Sequence, residues 1–308
     1  MVASLTTKDY FQLKKTGYST REKKKLIVRK NGRSADFIIP NASMGCSYFC
    51  NYCYAARNRP QGNPIELFTN LDEIIEEVKS HASTLPSKVP NQCCNKYYTY
   101  DIGENSDCLS PPLLETTNRL LGELVEIPNC KPSFATKAGS PTRVAKLINC
   151  PIPYKARVRA SLSPQKVADI VEVGTAKMVD RLHGLNLAYS KGFESHINLS
   201  PVILTKTWVE DYIELFKLIN STLTPEVKSQ LKLEIIYLTH SDRLHELNLE
   251  WIPQAERLLW VPTIQEYKVN NRGSKVLRYK WQIKQQAVAK MKELVKQYLP
   301  SVEIRYIF

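Results

Sequence analysis

Short runs of β-branched and aromatic residues alternate along this chain with longer stretches in which apolar positions recur every three or four residues. A two-residue period suits a strand and the longer period one buried face of a helix, so the alternation predicts βα units around a parallel sheet. The first strand is read over residues 36–43 (DFIIPNAS) and runs directly into a cysteine-containing loop. A helix is expected over 70–83, where Leu71, Ile74, Ile75 and Val78 share a face and acidic residues occupy the other. Further strands are expected at 97–103 (YYTYDIG), 132–138 (PSFATKA), 155–162 (KARVRASL), ESHINLSPVIL and 232–238 (KLEIIYL). Between them the pattern places helices over 112–125, a short one ending near Ile148, one or two within 164–192, and one over 208–219.

Six such units make an α/β fold, a partial (β/α)6 barrel of the TIM type. A basic, glycine-containing hairpin-like stretch, YKVNNRGSKVLRYKW, a helix over 282–298 and a final strand, VEIRYIF, complete the chain. With no internal repeat, the expected division is a basic N-terminal segment (1–35), the barrel (36–245) and a C-terminal extension packing on it (246–308).

Composition narrows the class. No apolar run approaches the ~18 residues a membrane span requires, so no membrane partner is expected. The opening residues are basic without an apolar core, which does not read as a secretory signal, and a cytoplasmic location is expected. A net charge of +13 favours polyanions, either nucleic acid or an acidic protein or peptide, although lysines solvating helix faces would give the same count. Eight cysteines in a long chain of this kind point to reduced thiols or metal ligation rather than disulfides.

In GCSYFCNYCYAAR, Cys46, Cys50 and Cys53 stand at i, i+4 and i+7 in one loop after a predicted strand. A [4Fe-4S] cluster takes soft thiolate ligands, and three of them leave one iron open to a small molecule. A structural zinc site closed by a distant fourth ligand is the alternative; such sites pair CxxC with a second CxxC or an HxxxH, and neither occurs. Cys93, Cys94, Cys108, Cys130 and Cys150 are scattered.

CxxxCxxC with an aromatic residue, Tyr52, before its last cysteine resembles the signature of the radical S-adenosylmethionine (SAM) superfamily. The resemblance implies that SAM chelates the fourth iron and is split to methionine and a 5′-deoxyadenosyl radical, with electrons from an external donor. It extends at low similarity, from about Ile38 to Phe308, to the spore photoproduct lyase branch. Tyr52 and Tyr54 match that branch's tyrosine pair, and Ser106 in ENSD its SAM-contacting serine. Lys137 in FATKA matches a lysine near SAM, and Ser161 in RASLS a ribose- or methionine-contacting serine. Ser200 lies where the strand leads to the adenine site, and RGSKVLRYKW resembles the basic C-terminal hairpin. Each also has a plain structural reading, as loop packing, a solvated strand end or a helix cap.

One position departs from the pattern. The branch carries a hydrogen-donating cysteine at the head of this segment, and here Glu104 stands in its place; Cys108 would need another loop path to serve. The peptide spliceases are similar to this branch and excise tyramine at a Tyr-Gly site of a ribosomally made precursor peptide, leaving an α-keto-β-amino amide without need of that donor. The resemblance therefore implies, first, a splicease with Tyr52, Tyr54 and Glu104 as catalytic residues. Its partners would be a precursor peptide with an acidic leader and a small accessory leader-binding protein. The alternative is repair of a thymine dimer in DNA, with nucleic acid as partner.

Overall fold

The computed structural model describes residues 18–55, 65–148, 150–269 and 273–308. Its largest sheet has eight strands. In spatial order they are Glu303–Ile307, Lys232–Tyr237, Glu194–Val202, Arg157–Leu162, Cys130–Thr136, Tyr98–Asp101, Phe37–Ile38 and Arg29–Lys30. Every neighbouring pair is parallel except the last. The six expected barrel strands thus lie side by side in chain order. Between them run helices at Leu71–Ser83, Leu114–Leu124, Pro141–Val144, Gln165–Val171, Met178–Ser190 and Trp208–Thr222, which return the chain for parallel pairing.

Three details differ from expectation. The first strand is only Phe37–Ile38, followed after Pro40 by a separate Ser43–Met44 strand that pairs with Ile65–Phe68 in a small sheet completed by Tyr18–Arg21. Pro40 offers no N–H to a ladder, and the Phe37–Ile38 pairing stops short of it. The final strand, Glu303–Ile307, pairs with Lys232–Tyr237 and widens the barrel sheet. Helices at Pro225–Gln230, Asp242–Trp251 and Pro253–Leu259 were not expected: they are short, and the first two are opened by the side-chain caps of Thr224 and Ser241. The tail hairpin is present as Gln265–Val269 against Lys275–Tyr279; residues 270–272 between them lie outside the described residues, as do residues 1–17 of the basic N-terminal segment.

Side chains alternate across each barrel strand. On Arg157–Leu162, Val158, Ala160 and Leu162 pack in the apolar layers beneath the helices, while Arg157, Arg159 and Ser161 take the other face. Arg159 donates to Asp101 Oδ2 at 2.6 Å and to Glu234 Oε2 at 2.9 Å, reaching past a strand on either side, so this second face is the barrel interior. Among the described residues no helix is long and apolar enough to cross a membrane.

Candidate active site

The cluster cysteines and the residues matched to the family pattern around them lie at or just beyond the C-terminal ends of barrel strands. The cysteine loop follows Phe37–Ile38, ENSD follows Tyr98–Asp101, Lys137 follows Cys130–Thr136, and Ser161 and Ser200 lie near the ends of Arg157–Leu162 and Glu194–Val202. Parallel strands deliver their ends to one rim, which is where barrels of this kind gather chemistry.

The cysteine loop is clamped from two sides. On one side Phe49–Cys50 pairs antiparallel with Glu172–Val173, placing Cys50 opposite Glu172, and Asn51 N–H donates to Val171 O at 2.9 Å. On the other, Gly45, in the left-handed region at φ 96°, donates to Asn105 O at 3.1 Å, and Ser43 Oγ meets Ser106 Oγ at 2.5 Å. The Tyr54 hydroxyl completes this second clamp by donating to the backbone carbonyl of Glu104, whose carboxylate pairs with Arg29. ENSD is tied in turn to the next strand end: Asp107 accepts from Thr136 Oγ1 and from Lys137 N–H, each at 2.7 Å.

Beneath the loop lies a buried polar relay. Tyr52 donates to Glu172, Glu172 accepts from Arg181 Nη2 at 2.8 Å, and Arg181 Nη1 donates to Ser161 O at 2.6 Å. Lys137 Nζ stands 5.6 Å from the centre of the Tyr52 ring. Burial acts to raise the Glu172 pKa, but Arg181 and Lys137 outweigh it and hold the carboxyl below its ordinary range. Burial, reinforced by the Glu172 charge, drives the Tyr52 phenol well up, and burial does the same for the Cys50 thiol, opposed by Lys137.

Of the sequence-derived residues, the structure thus joins the three cysteines, Tyr52, Tyr54, Glu104, Ser106, Lys137 and Ser161 into one connected region. Ser200 sits at a register irregularity between Leu199 and Val202, and among the described hydrogen bonds none links it to the others. Cys108 is buried in the apolar layer against Gly103 and Leu109 rather than at the rim. Glu172 and Arg181 were missed: nothing in the local sequence sets them apart, and their partners are distant in the chain. Asn198, opposite Ser161 in the sheet, was also missed; its Oδ1 is buried without a partner.

The loop chemistry suits a cluster better than a single ion. None of the eight cysteines is in a disulfide. Four thiolates around one zinc would lie roughly 3.8 Å apart, from a Zn–S distance of about 2.3 Å. Among the described residues, only His240, His245 and Glu256 bring three ligand atoms within 4.8 Å of one another, and the cysteine triplet does not. Three thiols on one clamped loop, with the orphaned Asn198 oxygen opposite Ser161, offer soft ligands for a cluster and a polar group for a small molecule.

The family model for spore photoproduct lyase matches residues 5–308. The chain is similar to the spore photoproduct lyase of Bacillus subtilis (strain 168), at 23% identity over 204 residues, which cover 66% of this chain and 56% of that protein. The aligned segment therefore spans just over half of the curated relative's length. Among solved structures it resembles a spore photoproduct lyase mutant with bound AdoMet and dinucleoside spore photoproduct. That likeness has a TM-score of 0.83 and 19% identity, covering 99% of this chain and 86% of that one. It also resembles a spore photoproduct lyase complexed with the dinucleoside spore photoproduct, at TM-score 0.83, 19% identity and the same coverage. By a family match that leaves only the first four residues aside, the chain belongs to the spore photoproduct lyase family.

Proposed function

We propose that this protein is a radical SAM lyase of the spore photoproduct type, acting on a cross-linked thymine pair in DNA. The observation that carries the reading is the clamped three-cysteine loop on the barrel rim, in a chain matched to this family over residues 5–308. Cys46, Cys50 and Cys53 would hold a [4Fe-4S] cluster, and Asn198, Ser161 and Ser106 offer polar groups to SAM beside it. When bound, the two supply a 5′-deoxyadenosyl radical able to take a hydrogen atom from carbon. The chain's own part is to position, to exclude water and to hold its charges still. Lys137 stands over Tyr52, and the Glu172–Arg181 pair fixes that ring from below. A lyase must also return a hydrogen atom to its product, and the Glu104 carboxylate has none to give. The Tyr54 hydroxyl, held on the carbonyl of that same residue, is an O–H at this place; giving up its hydrogen atom would leave a phenoxyl radical that one electron from the external donor and one proton from solvent would restore. A net charge of +13 would draw a DNA backbone to the protein.

The Glu104 substitution favours a second reading, a peptide splicease, whose fragmentation needs no donor at that position. In this reading Glu104, with Arg29 paired to it, would anchor a peptide amide or amine, and the surface charge would attract an acidic leader.

One experiment separates them. The anaerobically reconstituted, reduced protein is incubated with SAM and either dinucleoside spore photoproduct or a Tyr-Gly-containing precursor peptide, and products are followed by mass. Conversion of the dinucleoside to two thymidines, with 5′-deoxyadenosine formed only in its presence, is expected. Loss of tyramine from the peptide with the dinucleoside untouched would replace the lyase by the splicease.

A further inference from the structure

Asn51 lies between Cys50 and Cys53, in a turn closed by Cys53 N–H donating to Cys50 O at 2.9 Å. It is buried, and its carbonyl and side chain both face one distant residue. Asn248 Nδ2 donates to Asn51 O at 2.9 Å, and Asn51 Nδ2 donates to Asn248 Oδ1 at 3.4 Å. Asn248 sits on the Asp242–Trp251 helix, which follows the sixth barrel strand, so 197 residues of chain separate the two partners.

What orients Asn248 is a second buried group. Its Nδ2 also donates to Glu256 Oε1 at 2.5 Å, so its two amide hydrogens have two acceptors. Flipping that amide would set its oxygen against both the Glu256 carboxylate and the Asn51 carbonyl, which is repulsive twice over. Glu256 is itself pinned. His240 Nε2 lies 3.1 and 3.2 Å from its two oxygens and His245 Nδ1 lies 2.5 Å from Oε2. A carboxylate only accepts, so both ring nitrogens facing it carry hydrogens. The His245 ring is stacked on Trp260 at 3.9 Å and 15°, which fixes the far end of the chain of contacts.

We propose that Asn248, oriented by Glu256 and the two histidines, is a positioning residue for the cysteine turn, a strut that holds Cys50 and Cys53 in the shape that receives the cluster. This rests on the cluster reading given above. His240, His245 and Glu256 also form a set that an ion of the zinc class could use. The carboxylate, however, is already satisfied by three donors, and one of these, Asn248, faces the cysteine turn.

The test is retention of iron. Asn248→Ala, and Glu256→Gln as a change that keeps volume, are reconstituted beside the wild type and exposed to an excess of a ferrous chelator. Loss of iron about five- to tenfold faster than wild type is expected for both variants. Asn186→Ala is the control: Asn186 likewise bridges two segments, donating to Thr222 O at 2.9 Å and accepting from Thr224 N at 3.2 Å, but away from the rim. It is expected to lose iron at the wild-type rate even where thermal unfolding reveals a comparable loss of stability. Equal rates in wild type, Asn248→Ala and Glu256→Gln would overturn the strut alone, and if Asn248→Ala fails to fold, Glu256→Gln decides. Stoichiometric zinc in the wild type, lost on His245→Ala, would also overturn it. A wild type that takes up no four-iron cluster would overturn the cluster reading and the strut together.

Discussion

Glu172 is the buried charge on which the floor of the site depends. Its carboxylate takes Tyr52 on one oxygen and Arg181 on the other, and both Glu172 and Arg181 side chains are wholly inaccessible. Removing one member of such a pair leaves the other charged and unpaired, so Glu172→Gln is expected to cost about 3–5 kcal/mol in urea unfolding. The double variant Glu172→Gln/Arg181→Met should cost less than the sum of the singles, because the second change removes the stranded charge. Additive losses would mean that the pair is not coupled. At this scale the legible residues were those inside a dense local motif. Three cysteines and three tyrosines within nine positions announce their chemistry by spacing, whereas Glu172 reaches Tyr52 across 120 residues and reads locally as one more polar position. Glu104 was legible as a departure, but its pairing with Arg29, a residue of the basic N-terminal segment, was not.

Among the elements, the Met178–Ser190 helix shows how tightly the scaffold presses on the rim. Gly184 meets the 138–140 turn so closely that a Cβ there would stand 1.7 Å from Gly139 O, a backbone atom with nowhere to go. That turn follows Lys137 directly, and Lys137 O accepts from Ala176 N at 3.1 Å just before the same helix. Gly184→Ala is therefore expected to destabilise at or above the upper end of the about 1–3 kcal/mol typical of overpacking, despite alanine's better helix propensity. A melting temperature equal to wild type would show that helix and turn can separate without cost. The helix itself was legible only as one or two helices within 164–192, because the two-residue strand Glu172–Val173 interrupts the region and carries no periodicity of its own. Longer elements fared better: the Leu71–Ser83 helix and the Lys232–Tyr237 strand fall within a residue of their expected ends, each having a buried face that repeats several times.

For the molecule as a whole, the barrel interior couples folding to pH. Arg157, Arg159, Lys131 and Arg305 meet Glu194, Glu234 and Asp101 inside it, so these charges nearly balance and the positive surplus lies outside. His196 sits in this interior with both ring nitrogens engaged: Nδ1 accepts from Lys232 N–H at 3.0 Å, which leaves Nε2 to donate to Glu194 Oε1 at 2.5 Å. Only the neutral ring can do both, since a second ring hydrogen would confront the Lys232 N–H. Burial lowers the His196 pKa from 6.5 to about 4, although Glu194 pulls the other way. Between those values the unfolded chain binds a proton that the folded chain refuses, so the contribution is fully present above pH 6.5 and is lost as pH falls toward 4. Its size is on the order of 3 kcal/mol. Glu194, held well below its ordinary range by Arg157 and its neighbours against the effect of burial, withdraws its own contribution at more acid pH. Urea unfolding of the wild type at pH 7.5, 6 and 5 should therefore reveal falling stability, with His196→Gln less stable at pH 7.5 but flatter across the same range. A parallel decline in the two proteins would place the acid sensitivity elsewhere in the molecule.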